Sequence, residues 1–127
     1  MHYQIFPKAQ AKIVSCINGV VIDFVMDIRE DSPYKGEIKA YYLEDPQTFL
    51  YVPVGFAHGF MAITETALFQ YFVDNYWDKE FERSLPITTI FDKNIIAYSK
   101  YNDNQNLFLN KNELSDYIIS DKDLGEK

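Results

Sequence analysis

Apolar positions along this chain fall in short runs broken by turn residues. "KIVSCIN" and "VVIDFVMDIR" are two such runs, meeting at Asn18-Gly19. Asn-Gly between apolar runs is the strongest short-range hairpin signal, because both central positions of its turn take φ > 0. A two-residue turn then fixes a register in which Ile17 faces Val20, Cys16 faces Val21, Val14 faces Asp23 and Lys12 faces Val25. Lys12 and Asp23 become diagonal neighbours on one half-buried face, with Cβ atoms about 7 Å apart. Such a pair reads equally well as an ordinary cross-strand ion pair and as a functional set.

"DSPYKGE" is a loop, broken by Pro33 and Gly36. "EIKAYYL", "TFLYVPVGF", "HGFMAIT" and "TALFQYFVDNYW" read as strands, the last placing Phe69, Tyr71 and Val73 on one face. Beyond Trp77 the periodicity weakens. "WDKEFERSLP" fits a helical turn or an irregular loop, and "TTIFDKNIIAY" a further strand. "KYNDNQNLFLN" is loop-like, and "NELSDYIISDKDLGEK" has room for a short helix. Strands every ten residues or so, with turns between them, predict an all-β antiparallel sandwich or barrel.

Composition narrows the function. A chain of 127 residues is expected to form one domain, residues 1–127, burying about two-thirds of its unfolded surface. Ten Tyr and ten Phe favour strands. The net charge of −7 argues against a nucleic-acid partner. A small anionic ligand needs only local cations, and the two arginines, Arg29 and Arg83, are scarce enough to note. Cys16 has no second cysteine to pair with, which points to a reducing compartment. No apolar run approaches the roughly 20 residues of a membrane span, and the opening lacks the apolar core of a signal peptide.

"PVGFAHGF" fits the Pro-x-Gly-x-x-His half of the cupin pattern, a small jelly-roll barrel. Around it, "HYQ", then "P" and "AQAK" before an apolar strand, "DSP", "YFVDNYW", "ER" and finally "ISDKD" follow in order. As an ordered set they resemble the dTDP-4-dehydrorhamnose 3,5-epimerase family, chiefly over residues 1–83. The resemblance implies a cupin-like antiparallel jelly-roll sandwich with a short helical or irregular C-terminal part. In that family "HYQ" lies well inside the chain, usually after Arg-Gly-Leu. The expectation is therefore of a chain lacking the family's first strands and part of its nucleotide clamp, some of which is exchanged between subunits of a dimer. With Met1 in place of the leucine, His2 is expected to be poorly held.

The family reaction inverts two carbons flanking a ketone in a nucleotide-linked sugar. It needs a base, a donor at the enolate oxygen and an acid on the opposite face. The resemblance implies that His2 is the base and that Asp123 is the carboxylate orienting it, with Asp121 as the alternative. It implies Lys12 at the enolate oxygen, with Asp23 able to hold its ammonium, and Tyr71 as the opposite-face acid; on strand pattern alone Tyr71 reads as a core tyrosine. His58 is expected to contact substrate, and Tyr76, Glu82 and Lys122 to lie near the nucleotide or its phosphates. In metal-binding cupins the histidine at the position of His58 is a ligand, joined by a His-x-His. This chain has two histidines and no His-x-His, so no metal and no other cofactor is expected.

Three functional readings follow. The first is epimerisation at C3 and/or C5 of a dTDP-linked 4-keto-6-deoxy sugar by a cytoplasmic homodimer. The second is a truncated, catalytically weak or inactive sugar-nucleotide-binding module. The third, a metal-dependent cupin, is disfavoured by the histidine count.

Overall fold

Asn18 and Gly19 do not close a hairpin; they carry the chain from one sheet to another. In the computed structural model, which describes residues 1–120, strand β2 (Lys12–Asn18) pairs with β5 (Leu50–Val52) and β7 (Leu68–Val73). Strand β3 (Val21–Asp27) instead pairs with β4 (Ile38–Leu43) and β6 (Phe56–Ala62). The expected register is therefore wrong. Lys12 faces Val52 and Val73, and Asp23 faces Tyr41 and Phe60. Gly19 has φ +85°, while Asn18 is not among the residues with positive φ. The turn is thus not the double-positive type that a tight hairpin requires.

The larger sheet has the order β10-β9-β4-β3-β6-β1-β8 and the smaller β5-β2-β7. Its remaining strands are β1 (His2–Gln4), β8 (Glu82–Ser84), β9 (Ile95–Tyr98) and β10 (Gln105–Leu107). The expectation of an all-β sandwich holds, but the pairing is not antiparallel throughout: β4 and β9 run parallel, as does the isolated bridge between Phe91 and Leu109. β8 and β10 form within segments expected to be irregular or loop-like. Both are three-residue strands at the edges of the sheet, too short to leave a periodic signal. The C-terminal part holds 3-10 turns at Ile87–Ile90 and Lys111–Asp116.

Side-chain alternation divides β3 between two interiors. Ile22, Phe24 and Met26 enter the main core with Ile38, Ala40, Ala57, Ile95 and Ala97, capped by Met1, Ile90, Phe91 and Leu109. Each fully buried large side chain there contributes about 1.5–3 kcal/mol. Val21 enters the space between the sheets, packing with Val14, Cys16 and Leu43. Asp23 lies on that same inter-sheet face, two positions along. The inter-sheet space is therefore apolar at one end and polar at the other, and the polar end holds the candidate site.

Candidate functional site

β1 occupies the gap between β6 and β8. His2 is the direct cross-strand partner of His58 on one side and of Ser84 on the other. His2 is thus held in a ladder, against the expectation that it is poorly held. The adjoining Met1 is fully buried and its nitrogen donates to the Leu85 carbonyl at 2.7 Å. Cross-strand partners share a face, so His2, His58 and Val25 form one row across β1, β6 and β3.

Asp23 reaches His58 from β3. Its carboxylate is fully buried, with its two oxygens 3.0 and 3.3 Å from His58 Nδ1. The other ring nitrogen, Nε2, lies 3.3 Å from Lys12 Nζ, which comes from the facing sheet. Lys12 and Asp23 do belong together, but through His58 and across the sandwich rather than side by side on one sheet. Burial pushes the Asp23 carboxyl up, against the His58 hydrogen bond and the charges of His58 and Lys12. Burial pushes Lys12 down, and the charges of Asp23 and Glu82 oppose it.

Glu82 completes the group. Paired with Gln4 across β8 and β1, it places Oε1 3.7 Å from His2 Nδ1. It stands beside His2 and within the field of Lys12. Asp123, Asp121 and Lys122 lie outside the described residues. No spacing rule pointed to the Glu82–His2 approach, because the strands that create it are about 80 residues apart.

Tyr71 projects from β7 opposite Val14, on the same face as Lys12, and is 58 % exposed. It flanks the cluster; its ring neighbour is Phe69, with centroids 6.2 Å apart. Phe69, Tyr71 and Val73 share one face as expected, since their partners Cys16, Val14 and Lys12 do. Tyr76 stands 85 % exposed. Its loop is tied down by Gln4, a residue that sequence reading gave no role. The Gln4 amide donates to the carbonyls of Tyr76 at 3.1 Å and Lys8 at 2.5 Å, and accepts from the Asp78 N–H at 2.7 Å.

Neither arginine is part of the cluster. Arg29 makes paired hydrogen bonds to Asp27 at 3.0 and 2.8 Å and lies over the Phe56 ring. It holds the Asp27 carboxyl far below the usual carboxylate range, and Ser32 of "DSP" donates to the same carboxylate at 2.6 Å. Arg83 donates to the carbonyls of Glu80 and Glu82. Among the described residues, no three His, Cys, Asp or Glu side chains are grouped as metal ligands. No helix of the described residues is long and apolar enough to cross a membrane.

The fold is a cupin-like two-sheet one, with imidazole, ammonium and carboxylate groups converging between its sheets. The chain belongs to the dTDP-4-dehydrorhamnose 3,5-epimerase family, whose family model matches residues 1–126. A dTDP-4-dehydrorhamnose 3,5-epimerase of Shigella flexneri is 40 % identical over 86 residues, covering 67 % of this chain and 48 % of that protein. The crystal structure of the dTDP-4-dehydrorhamnose 3,5-epimerase from Elizabethkingia anophelis superposes with a TM-score of 0.66 at 43 % identity, over 68 % of this chain and 48 % of that one. The dTDP-6-deoxy-D-glucose-3,5-epimerase of Legionella pneumophila, solved in complex with dTDP-4-keto-L-rhamnose, gives a TM-score of 0.63 at 36 % identity, over 67 % of this chain and 45 % of that one. The chain spans about half the length of the curated relatives it matches.

Proposed function

We propose that residues 1–127 form one epimerase domain that inverts C3 and/or C5 of a dTDP-linked 4-keto-6-deoxyhexose by proton abstraction and return beside the 4-ketone. The single observation that carries this reading is the convergence of His2, His58, Asp23, Glu82 and Lys12 between the sheets. Family membership and the relatives' names support the substrate class.

In this mechanism His2 takes the proton α to the ketone. An unperturbed imidazole pKa near 6.5 suits reversible transfer at neutral pH. Lys12 places its ammonium at the C4 oxygen, where a fixed donor to the developing enolate is worth about 3–4 kcal/mol. Tyr71 returns the proton from the other side. His2 comes from the larger sheet and Tyr71 from the smaller, so a sugar held between the sheets meets base and acid on opposite faces. His58 steadies Lys12 and borders the substrate. Glu82 stands beside His2, and Asp123 is the further carboxylate proposed to orient the base. Tyr76 and Lys122 are proposed on the nucleotide side.

The same reading proposes a cytoplasmic homodimer. Tyr51, Ile13 and Phe72 are register partners in a row across the outer face of the smaller sheet, and all three are exposed. A second copy seated there would cover them. The test of the catalytic reading is solvent exchange. Incubated in deuterium oxide with dTDP-4-keto-6-deoxyglucose, the protein is expected to place deuterium at C3 or C5. Binding of dTDP without exchange would favour a binding module instead.

A further inference from the structure

We propose that Asp23 is a positioning residue: its carboxylate fixes the His58 ring as the Nδ1–H tautomer, so that Nε2 presents a lone pair to the Lys12 ammonium. The inference deepens the proposed function, because it rests on Lys12 standing at the C4 oxygen.

An ionised carboxylate only accepts hydrogen bonds, and an ammonium only donates them. Asp23 Oδ1 and Oδ2 both lie within hydrogen-bond distance of His58 Nδ1, at 3.3 and 3.0 Å. With Asp23 ionised beside the Lys12 and His58 groups, the ring hydrogen belongs on Nδ1. A neutral imidazole then has its acceptor at Nε2, the atom 3.3 Å from Lys12 Nζ. The opposite tautomer would set an N–H against the ammonium. Asp23 is fully buried and His58 only 7 % exposed, so neither group is placed to reach a substrate as freely as Lys12, the more accessible end of the chain of contacts. One ammonium hydrogen is engaged by His58, which leaves two for an acceptor beside Lys12. Asp23 thus acts on the enolate oxygen at second hand, by orienting the ring that orients the amine.

The tautomer is read directly from the ¹⁵N shifts of the histidines in the intact protein. The proposal expects a protonated Nδ1 and an unprotonated Nε2 for His58; a protonated Nε2 in the neutral ring overturns it. That readout needs no turnover, so it decides the point even if the protein exchanges no deuterium, the result that would sink the proposed function. Where exchange is observed, Asp23→Asn, close to isosteric, should lower it about 10²–10³-fold, the loss expected for a misplaced oxyanion donor. In a Lys12→Met background the same substitution should cost almost nothing further, since Asp23 acts through Lys12. An equal loss in both backgrounds would make Asp23 a general structural residue and overturn the assignment.

Discussion

His2 and His58 are direct cross-strand partners on β1 and β6, and this one ladder contact ties the opening residues of the chain to the Asp23–His58–Lys12 line. Through it, His2 on β1 and Lys12 on β2 both adjoin the same ring although they belong to different sheets. Changes at the two ends should therefore have separate signatures.

Lys12→Met removes the donor and keeps an unbranched apolar stem of similar size. Solvent exchange should fall about 10²–10³-fold with little change in dTDP affinity, measured by calorimetry. The pH profile carries a sign as well. Burial holds the Lys12 pKa below its ordinary 10.5, so exchange should decline on the alkaline side before pH 10.5. Across that window the unfolded chain binds more protons, so this group's contribution to stability rises with pH. An alkaline limb above 10.5 would place Lys12 outside the reaction.

Tyr71→Phe separates abstraction from inversion. Without an acid on the far side, deuterium should still enter from the His2 side while net epimerisation falls about 10²–10⁴-fold. Parallel loss of both, followed by NMR of the sugar, would assign Tyr71 to binding.

Gly19→Ala tests the turn between the sheets. At φ +85° an added Cβ is strained and would sit 2.6 Å from Thr64 Oγ1. Destabilisation of about 1–3 kcal/mol is expected, read from urea unfolding. An unchanged midpoint would mean that the turn relaxes freely.

Light scattering at micromolar concentration should give the mass of a dimer. A Phe72→Glu variant, charged in the middle of the exposed row on the smaller sheet, should shift it to monomer. A monomeric parent protein would remove that face from the account.

The existence of strands was more legible than their pairing. β4 and β7 formed inside the expected segments because their apolar runs are long enough to register, whereas β6 begins at Phe56, two residues ahead of the expected "HGFMAIT". The strongest local signal misled. Asn18-Gly19 looked like a hairpin, yet Val14 and Cys16 on one side and Val21 on the other pack face to face between two sheets. A turn dipeptide cannot tell pairing within a sheet from passage between sheets. Lys12 and Asp23 were singled out together for the wrong geometry, and His58, read separately, proved to be their link. Glu82 beside His2 was illegible, since a three-residue edge strand has no period and its partner lies at the other end of the sequence.

The most direct measurement is deuterium uptake at C3 and C5 of dTDP-4-keto-6-deoxyglucose, compared between the parent protein and His2→Ala. The account predicts uptake by the parent and a loss of about 10²–10⁴-fold in the variant, with His2→Gln giving no rescue. Uptake that survives His2→Ala unchanged would show that the base is another group and contradict the proposed centre.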